Sequence, residues 1–188
     1  MRAGLLLDRD GVINEECQYL HDPADLVMIH GVATAIAKIN QWNIPVAVVT
    51  NQAGIGRGLY GVEAYHSINR TIADILAQVG AHVDAWYFCP HTPHDACLCR
   101  KPSPGMLKEA AKDLGLELRH SVLVGDKESD LQAARAAGCA AVLVRTGYGQ
   151  QVENDLVVRG KAGLFDCCCD SLFAALPFLQ AELAKGGR

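Results

Sequence analysis

Two aspartates separated by one residue, Asp8 and Asp10 in LLLDRDGVIN, close an apolar run and precede Gly11. A carboxylate so placed can attack phosphorus when a cation screens its charge from the phosphate. The second carboxylate, two residues on and turned differently, can protonate the leaving oxygen. The same letters also suit a solvated turn or a simple cation site, and so short a motif settles nothing by itself. Thr50 ends another apolar run in VVTNQAGIGRG. A hydroxyl and successive backbone N–H groups there can hold phosphate oxygens, although a plain strand-to-helix turn reads the same. Lys101 stands before Pro102, a point charge suited to a phosphoryl group, though most lysines simply face solvent. In VLVGDKESD, Asp126 ends a run and Asp130 follows about one helical turn later. Asp126 can complete an oxygen shell for Mg2+. Asp130 can cap a helix or orient Lys101.

A second constellation lies in CPHTPHDACLCRKP, residues 89–102. Cys89 with His91 and Cys97 with Cys99 form two close pairs, a ligand set that suits tetrahedral Zn2+ and leaves no open position for water. Such a site is structural. It would pin a loop that runs straight into Arg100 and Lys101, and so help to set the place of the lysine. His94 is an alternative ligand, but His91 gives the more symmetrical spacing; thiols without metal are the remaining reading.

These residues need elements to carry them. Nearly continuous apolar runs at 3–8, 45–50, 83–89, 121–126 and 140–145 read as strands buried on both faces. Amphipathic stretches at 31–42, 61–79, 104–114 and 129–137 read as helices. Pro104 falls just inside one start, Ser129 or Asp130 near the cap of another, and Gly115 and Gly138 where C-terminal glycines belong. A last short strand is expected near 164–168, then a closing helix over 171–185. Strict alternation predicts a three-layer, Rossmann-like α/β domain with a parallel sheet, spanning 1–188 as one unit. In such sheets the ligand lies beyond the carboxyl ends of the strands, which is where Asp8, Thr50, Cys89 and Asp126 fall.

Asp-x-Asp, Thr, Lys and Asp in that order resemble the haloacid dehalogenase-like phosphohydrolase superfamily over about residues 3–170. The resemblance implies Asp8 as nucleophile forming an aspartyl-phosphate, Asp10 as general acid and base, and Thr50 and Lys101 on the transferring phosphoryl group. It also implies Mg2+ held by the side chains of Asp8 and Asp126 and the backbone carbonyl of Asp10. DRDGVIN, TNQAGIGRG, the Cys-x-His and Cys-x-Cys loop, CRKPSPGM and GDKESD together look like the D-glycero-D-manno-heptose 1,7-bisphosphate 7-phosphatase family, with the histidinol-phosphatases closely similar. The former acts in lipopolysaccharide core precursor synthesis. By the same resemblance the substrate meets Glu16, Cys17, Gln18, Tyr19, Thr50, Asn51, Gln52, Ala53, Arg100, Lys101 and Lys127, and the enzyme is a monomer. The chain departs from the family at EECQY (residues 15–19) and in a short His91 to Cys97 spacer.

About forty residues separate Asp8 from Thr50 and only the cysteine loop follows the third strand, so no large cap domain is expected and substrate choice rests on loops. A bisphosphate needs a second anion site, for which Arg57 and Arg100 are the fork-shaped donors, unless Arg57 is merely solvated. An amine such as histidinol phosphate would instead call on Glu15 and Glu16. A phosphatase-like binding scaffold would lack a nucleophile or lysine, and both are present. A phosphotransferase would need an alcohol acceptor.

With 188 residues, half of them hydrophobic, and a net charge of −4, the chain has no basic footprint for nucleic acid. It shows neither an export signal nor a membrane span, so a cytoplasmic protein is expected. There clustered cysteines act as metal ligands or small hydrophobes. Cys139 is expected buried, Cys17 in the substrate loop, and Cys167, Cys168 and Cys169 in an edge strand whose alternating faces argue against a second metal site.

Overall fold

The structure is a computed structural model and describes residues 2–187. Its elements in chain order are β1 (Leu5–Leu7), α1 (Val32–Gln41), β2 (Val46–Asn51), α2 (Ala53–Gly56), α3 (Val62–Ala77), β3 (Ala85–Cys89) and α4 (Gly105–Leu114). Then follow β4 (Val122–Gly125), α5 (Glu128–Ala137), β5 (Ala140–Val144), α6 (Gly149–Val158), β6 (Cys167–Cys169) and α7 (Leu176–Leu183). The six strands form one sheet in the order β3-β2-β1-β4-β5-β6, and every pairing is parallel.

Why the strands carry unbroken apolar runs is visible in β1. Leu5 and Leu7 point to one face, where α1, α3 and α7 supply Val32, Ile36, Ile39, Ile68, Ile72, Leu176 and Leu179. Leu6 points to the other, against Met106, Leu107 and Ala110 of α4 and Leu131 and Ala134 of α5. Side chains alternate with period two, so a strand covered on both faces must be apolar at every position. Chain direction reverses its march across the sheet between β1 and β4. The crevice beyond their carboxyl ends is where this architecture places ligands. Between β1 and β2 the chain adds only α1 and a single 3-10 turn at Pro23–Asp25, and among the described residues no large cap stands over the crevice.

The boundaries shift from the sequence reading in instructive places. Pro104 is itself the residue at the N-cap of α4. Lys127, not Ser129, caps α5, and Asp130 at its third position accepts the Lys127 backbone N–H at 3.0 Å. Gly115 and Gly138 end their helices in the left-handed conformation, as expected. The closing helix begins at Leu176 rather than 171, because Pro177 has no N–H to donate and is tolerated only in a first turn. β6 lies at 167–169 rather than 164–168. Helix α6 was not anticipated: among its residues only Gly149 and Leu156 are buried, too thin a stripe to show as periodicity.

Candidate active site

Asp8 follows β1 directly, and its backbone N–H donates to Val124 of β4 at 2.9 Å, so the carboxylate stands at the point where the sheet changes direction. Asp126, just past β4, is fully buried. Gly11 and Gly147, both at positive φ, close on its carboxylate so tightly that a Cβ at either would strike Asp126 Oδ2. That oxygen accepts the Tyr148 backbone N–H at 2.9 Å, while Asp126 Oδ1 is buried with no hydrogen-bond partner among the described residues. Lys101, 2% exposed, completes the cluster, its Nζ lying 3.0 Å from Asp8 Oδ1 and 2.7 Å from Asp130 Oδ1.

Electrostatics follow from that burial. Desolvation alone would lower the Lys101 pKa, but the Asp130 and Asp8 carboxylates outweigh it and hold the pKa above the ordinary value. Burial pushes Asp126 up to about 8, and the charges of Asp8 and Asp130 add to the rise against the pull of Lys127 and the Tyr148 N–H. Three carboxylates within 4.8 Å of one another, one carrying an orphaned oxygen, fit a divalent oxygen-seeking cation. Asp130 is engaged through both oxygens, by Lys101 and by the Lys127 N–H. Asp8 meets Lys101 through Oδ1 alone and Asp126 keeps its Oδ1 unpartnered among the described residues, so these two are the better donors.

Asp10 is held differently. Arg9, fully buried, donates to Asp10 Oδ1 from Nε at 3.1 Å and from Nη2 at 2.9 Å. Asn14 Nδ2 donates to the same oxygen at 3.0 Å, and Gln52 Nε2 to Oδ2 at 2.9 Å. Burial would raise the Asp10 pKa, but Arg9, Asn14 and Gln52 together bring it below the ordinary carboxylate value. Gln52 also donates to Thr50 Oγ1 at 2.9 Å and accepts from Tyr60 Oη at 2.6 Å. Its amide is thus bonded to protein groups while the residue also lines the hollow in which the sequence reading placed substrate. Arg9, Asn14 and Tyr60 were missed. An arginine between two aspartates just past a buried strand was the available signal for Arg9, since such a charge, if buried, must find a partner.

Beside this cluster opens a hollow of about 400 Å3. Glu16, Gln18 and Tyr19 wall one side, Asn51, Gln52 and Ala53 another, and Arg57, Arg100 and Lys127 give it positive charge, with Tyr60 and Tyr148 unanticipated at the rim. Arg57 Nη1 donates to Tyr19 Oη at 2.6 Å, and Lys127 pairs with Glu16 at 2.7 Å. Gln18 and Tyr19 both adopt positive φ, strain that L-residues keep only where the surroundings impose it. Cys17 is exposed and lines a neighbouring hollow rather than this one. Glu15 is exposed as well.

Cys89, His91, Cys97 and Cys99 converge as the spacing suggested. Cys99 Sγ lies 3.1 Å from Cys89 Sγ and 3.5 Å from Cys97 Sγ, Cys89 lies 3.6 Å from Cys97, and His91 Nδ1 lies 3.5 Å from Cys89 and 3.3 Å from Cys99. Zinc–sulfur bonds near 2.3 Å set tetrahedral edges of about 3.7 Å, so four donors at these separations fit one ion. Burial opposes ionisation of Cys97, yet the Arg100 backbone N–H and the neighbouring thiols bring it down to about 7; a thiolate is the ligand form. His94 is outside the cluster. In β6, Cys167 and Cys169 share a face at 3.4 Å, Cys168 turns to the other core, and Cys139 is buried.

Comparison with known proteins gives the following. A family model described as HAD-hydrolase-like matches residues 98–164. D-glycero-beta-D-manno-heptose-1,7-bisphosphate 7-phosphatase of Bordetella bronchiseptica is 41% identical over 78% of this chain and 83% of its own length. The corresponding protein of Thermosynechococcus vestitus is 38% identical over 97% of this chain and 98% of its own. A crystal structure of the B. bronchiseptica D,D-heptose 1,7-bisphosphate phosphatase, complexed with magnesium and phosphate, superimposes with a TM-score of 0.87 at 38% identity, covering 97% of this chain and 99% of that one.

Proposed function

The chain belongs to the D-glycero-D-manno-heptose-1,7-bisphosphate 7-phosphatase family of the haloacid dehalogenase-like hydrolases, and on that premise we propose that it removes the 7-phosphate of the heptose bisphosphate to leave heptose 1-phosphate. The observation that carries the reading is the buried meeting of Asp8, Lys101 and Asp126 beside Asp10 and Thr50, next to a hollow with three basic side chains.

In this proposal an Asp8 carboxylate oxygen attacks phosphorus, the bond from phosphorus to the C7 oxygen breaks, and Asp10 gives its proton to the departing sugar. Water then attacks the aspartyl-phosphate, Asp10 takes a proton from it, and Asp8 is regenerated as phosphate leaves. The ionised state that Arg9 favours is the one that second step requires. Lys101 and Thr50 hold the phosphoryl oxygens, and Asp130 orients Lys101. The Asp8 and Asp126 side chains with the Asp10 backbone carbonyl would hold Mg2+, which would supply charge neutralisation at the phosphoryl group. Zn2+ in the Cys89, His91, Cys97 and Cys99 cluster is structural.

Arg57 and Arg100 suit the 1-phosphate, Lys127 being paired with Glu16, and Glu16, Gln18, Tyr19, Asn51, Gln52 and Ala53 stand where the sugar would lie. Histidinol phosphate is less favoured, because Glu16, the acidic group at the rim, is neutralised by Lys127. We further infer a single-domain monomer over residues 1–188 working in the cytoplasm, where clustered thiols stay reduced, in lipopolysaccharide core precursor synthesis. No helix among the described residues is long and apolar enough to cross a membrane. The test is phosphate release from heptose 1,7-bisphosphate and from histidinol phosphate, measured side by side with Mg2+ and no alcohol acceptor. Sustained release with a large preference for the heptose is expected. A preference for histidinol phosphate would overturn the substrate, and a single burst without turnover would overturn hydrolysis.

A further inference from the structure

Gln52 sits 3% exposed between the two residues that face the reacting phosphate. Its amide nitrogen donates one hydrogen to Asp10 Oδ2 and the other to Thr50 Oγ1, each at 2.9 Å. Its amide oxygen accepts from Tyr60 Oη at 2.6 Å and from Arg9 Nη2 at 3.4 Å. This polarity is not interchangeable. Turned over, the amide would set its oxygen against the Asp10 carboxylate and its NH2 against the Arg9 guanidinium, two like-with-like contacts in a buried site. Tyr60 donates the shortest of the four bonds, and no role has fallen to it so far.

The consequence reaches both targets. A threonine hydroxyl has one hydrogen, and once Oγ1 accepts from Gln52 that hydrogen is left to donate elsewhere. For Thr50 that means a phosphoryl oxygen. Asp10, held by Arg9 through both oxygens and by Asn14 through Oδ1, receives its one bond from the β2 side through Gln52 at Oδ2. One side chain therefore aims a hydroxyl donor and steadies a carboxylate.

We propose that Tyr60 and Gln52 form a positioning relay, in which the Tyr60 hydroxyl fixes the polarity of the Gln52 amide and thereby the direction in which the Thr50 hydroxyl and the Asp10 carboxylate meet the phosphoryl group. The inference rests on the reading that Thr50 binds the phosphoryl group and Asp10 moves its proton. Tyr60 lines the substrate hollow and its ring stacks on His21 at 5.9 Å. A plain substrate contact is therefore the rival explanation, and the two differ in what they predict.

The experiment is steady-state kinetics on the full chain with heptose 1,7-bisphosphate and Mg2+, comparing wild type, Tyr60→Phe, Gln52→Met and the double variant. Tyr60→Phe keeps the stacked ring and removes only the hydroxyl. A donor that acts in the transition state should cost about tenfold in kcat with KM within twofold. In the Gln52→Met background, which has no amide to orient, Tyr60→Phe should cost nothing further. An unchanged kcat, a loss confined to KM, or losses that multiply in the double variant would each overturn the relay. Thr50→Ala separates the two levels. If it is crippled while Tyr60→Phe is normal, the relay alone fails; if Thr50→Ala keeps full kcat, the reading beneath the relay fails with it.

Discussion

Asn51 and Lys101 face each other across two hydrogen bonds. Asn51 Nδ2 donates to the Lys101 carbonyl at 3.0 Å, and the Lys101 N–H donates to Asn51 Oδ1 at 3.1 Å. The carboxyl end of β2 thereby holds the lysine backbone in the way a neighbouring strand would. Two further bonds tie the same region to the cysteine loop: Gln52 N–H to Cys89 O at 2.8 Å and Gly56 N–H to Pro90 O at 2.9 Å. Arg100 Nη1 reaches back to the His91 carbonyl at 3.0 Å. Lys101 is therefore anchored from one side by Asn51 and from the other by a loop with little secondary structure, whose order, with zinc bound as proposed, would depend on its four ligands.

That dependence is measurable. Replacing Cys97 and Cys99 together by Ala should lower bound zinc from about one equivalent per chain to none and reduce kcat by about a hundredfold, because a lysine misplaced by about 1 Å loses that much. Metal analysis and kinetics on the same preparation decide it. Unchanged metal content together with unchanged turnover would show that the cluster holds no ion of consequence.

Asp8→Asn should reduce turnover by roughly a thousandfold or more, since the amide can neither attack phosphorus nor carry the acyl phosphate. The fold should survive, because the asparagine keeps an oxygen beside Lys101. Circular dichroism at wild-type melting temperature alongside lost activity is the expected pair of results. Residual activity near wild type would exclude Asp8 as the nucleophile.

Arg57 and Arg100 should separate binding from chemistry. Each flanks the hollow and neither touches Asp8 or Lys101 side chains, so Arg57→Ala and Arg100→Ala should raise KM for the bisphosphate about tenfold each. Arg57→Ala should leave kcat within about threefold. For a sugar carrying a single phosphate at the reacting end, the Arg57→Ala variant should show KM near wild type. Equal losses on both substrates would deny Arg57 a role at the second phosphate.

Much of this was legible in the sequence because the physics is local. Unbroken apolar runs at β1, β2 and β4 can only be strands covered on both faces, and chemistry gathered after them follows from parallel topology. The cysteine cluster was legible for a related reason, since paired ligands two apart reach one ion with little help from the fold. What stayed hidden depends on contacts across long separations. Nothing adjacent to Gln52 indicates that its amide would be shared by Asp10, Thr50 and Tyr60, and nothing near Asn51 indicates a pairing fifty residues away. Helix α6 hid for the opposite reason: it buries too little to leave a pattern.

Arg9 yields the sharpest stability prediction. Its guanidinium is fully buried against Asp10 and lies 5.7 Å over the Tyr65 ring. Arg9→Met keeps the length and apolar packing but strands the Asp10 carboxylate, which should cost about 3 kcal/mol at neutral pH. The cost should depend on pH with a defined sign. Burial would raise the Asp10 pKa, but Arg9 and its companions lower it from the ordinary 3.8. A depressed folded-state value contributes stability that is present above the unfolded pKa and lost as pH falls through the folded one. The gap between wild type and Arg9→Met should therefore be full near pH 7 and begin to shrink as pH drops below about 4, on the way to the lowered value at which the folded carboxyl protonates and no longer requires the arginine. Urea denaturation of both proteins at pH 7 and at the lowest pH where they remain folded would measure it. A gap that stays constant across that range would mean that Arg9 stabilises the protein by packing rather than by its charge on Asp10.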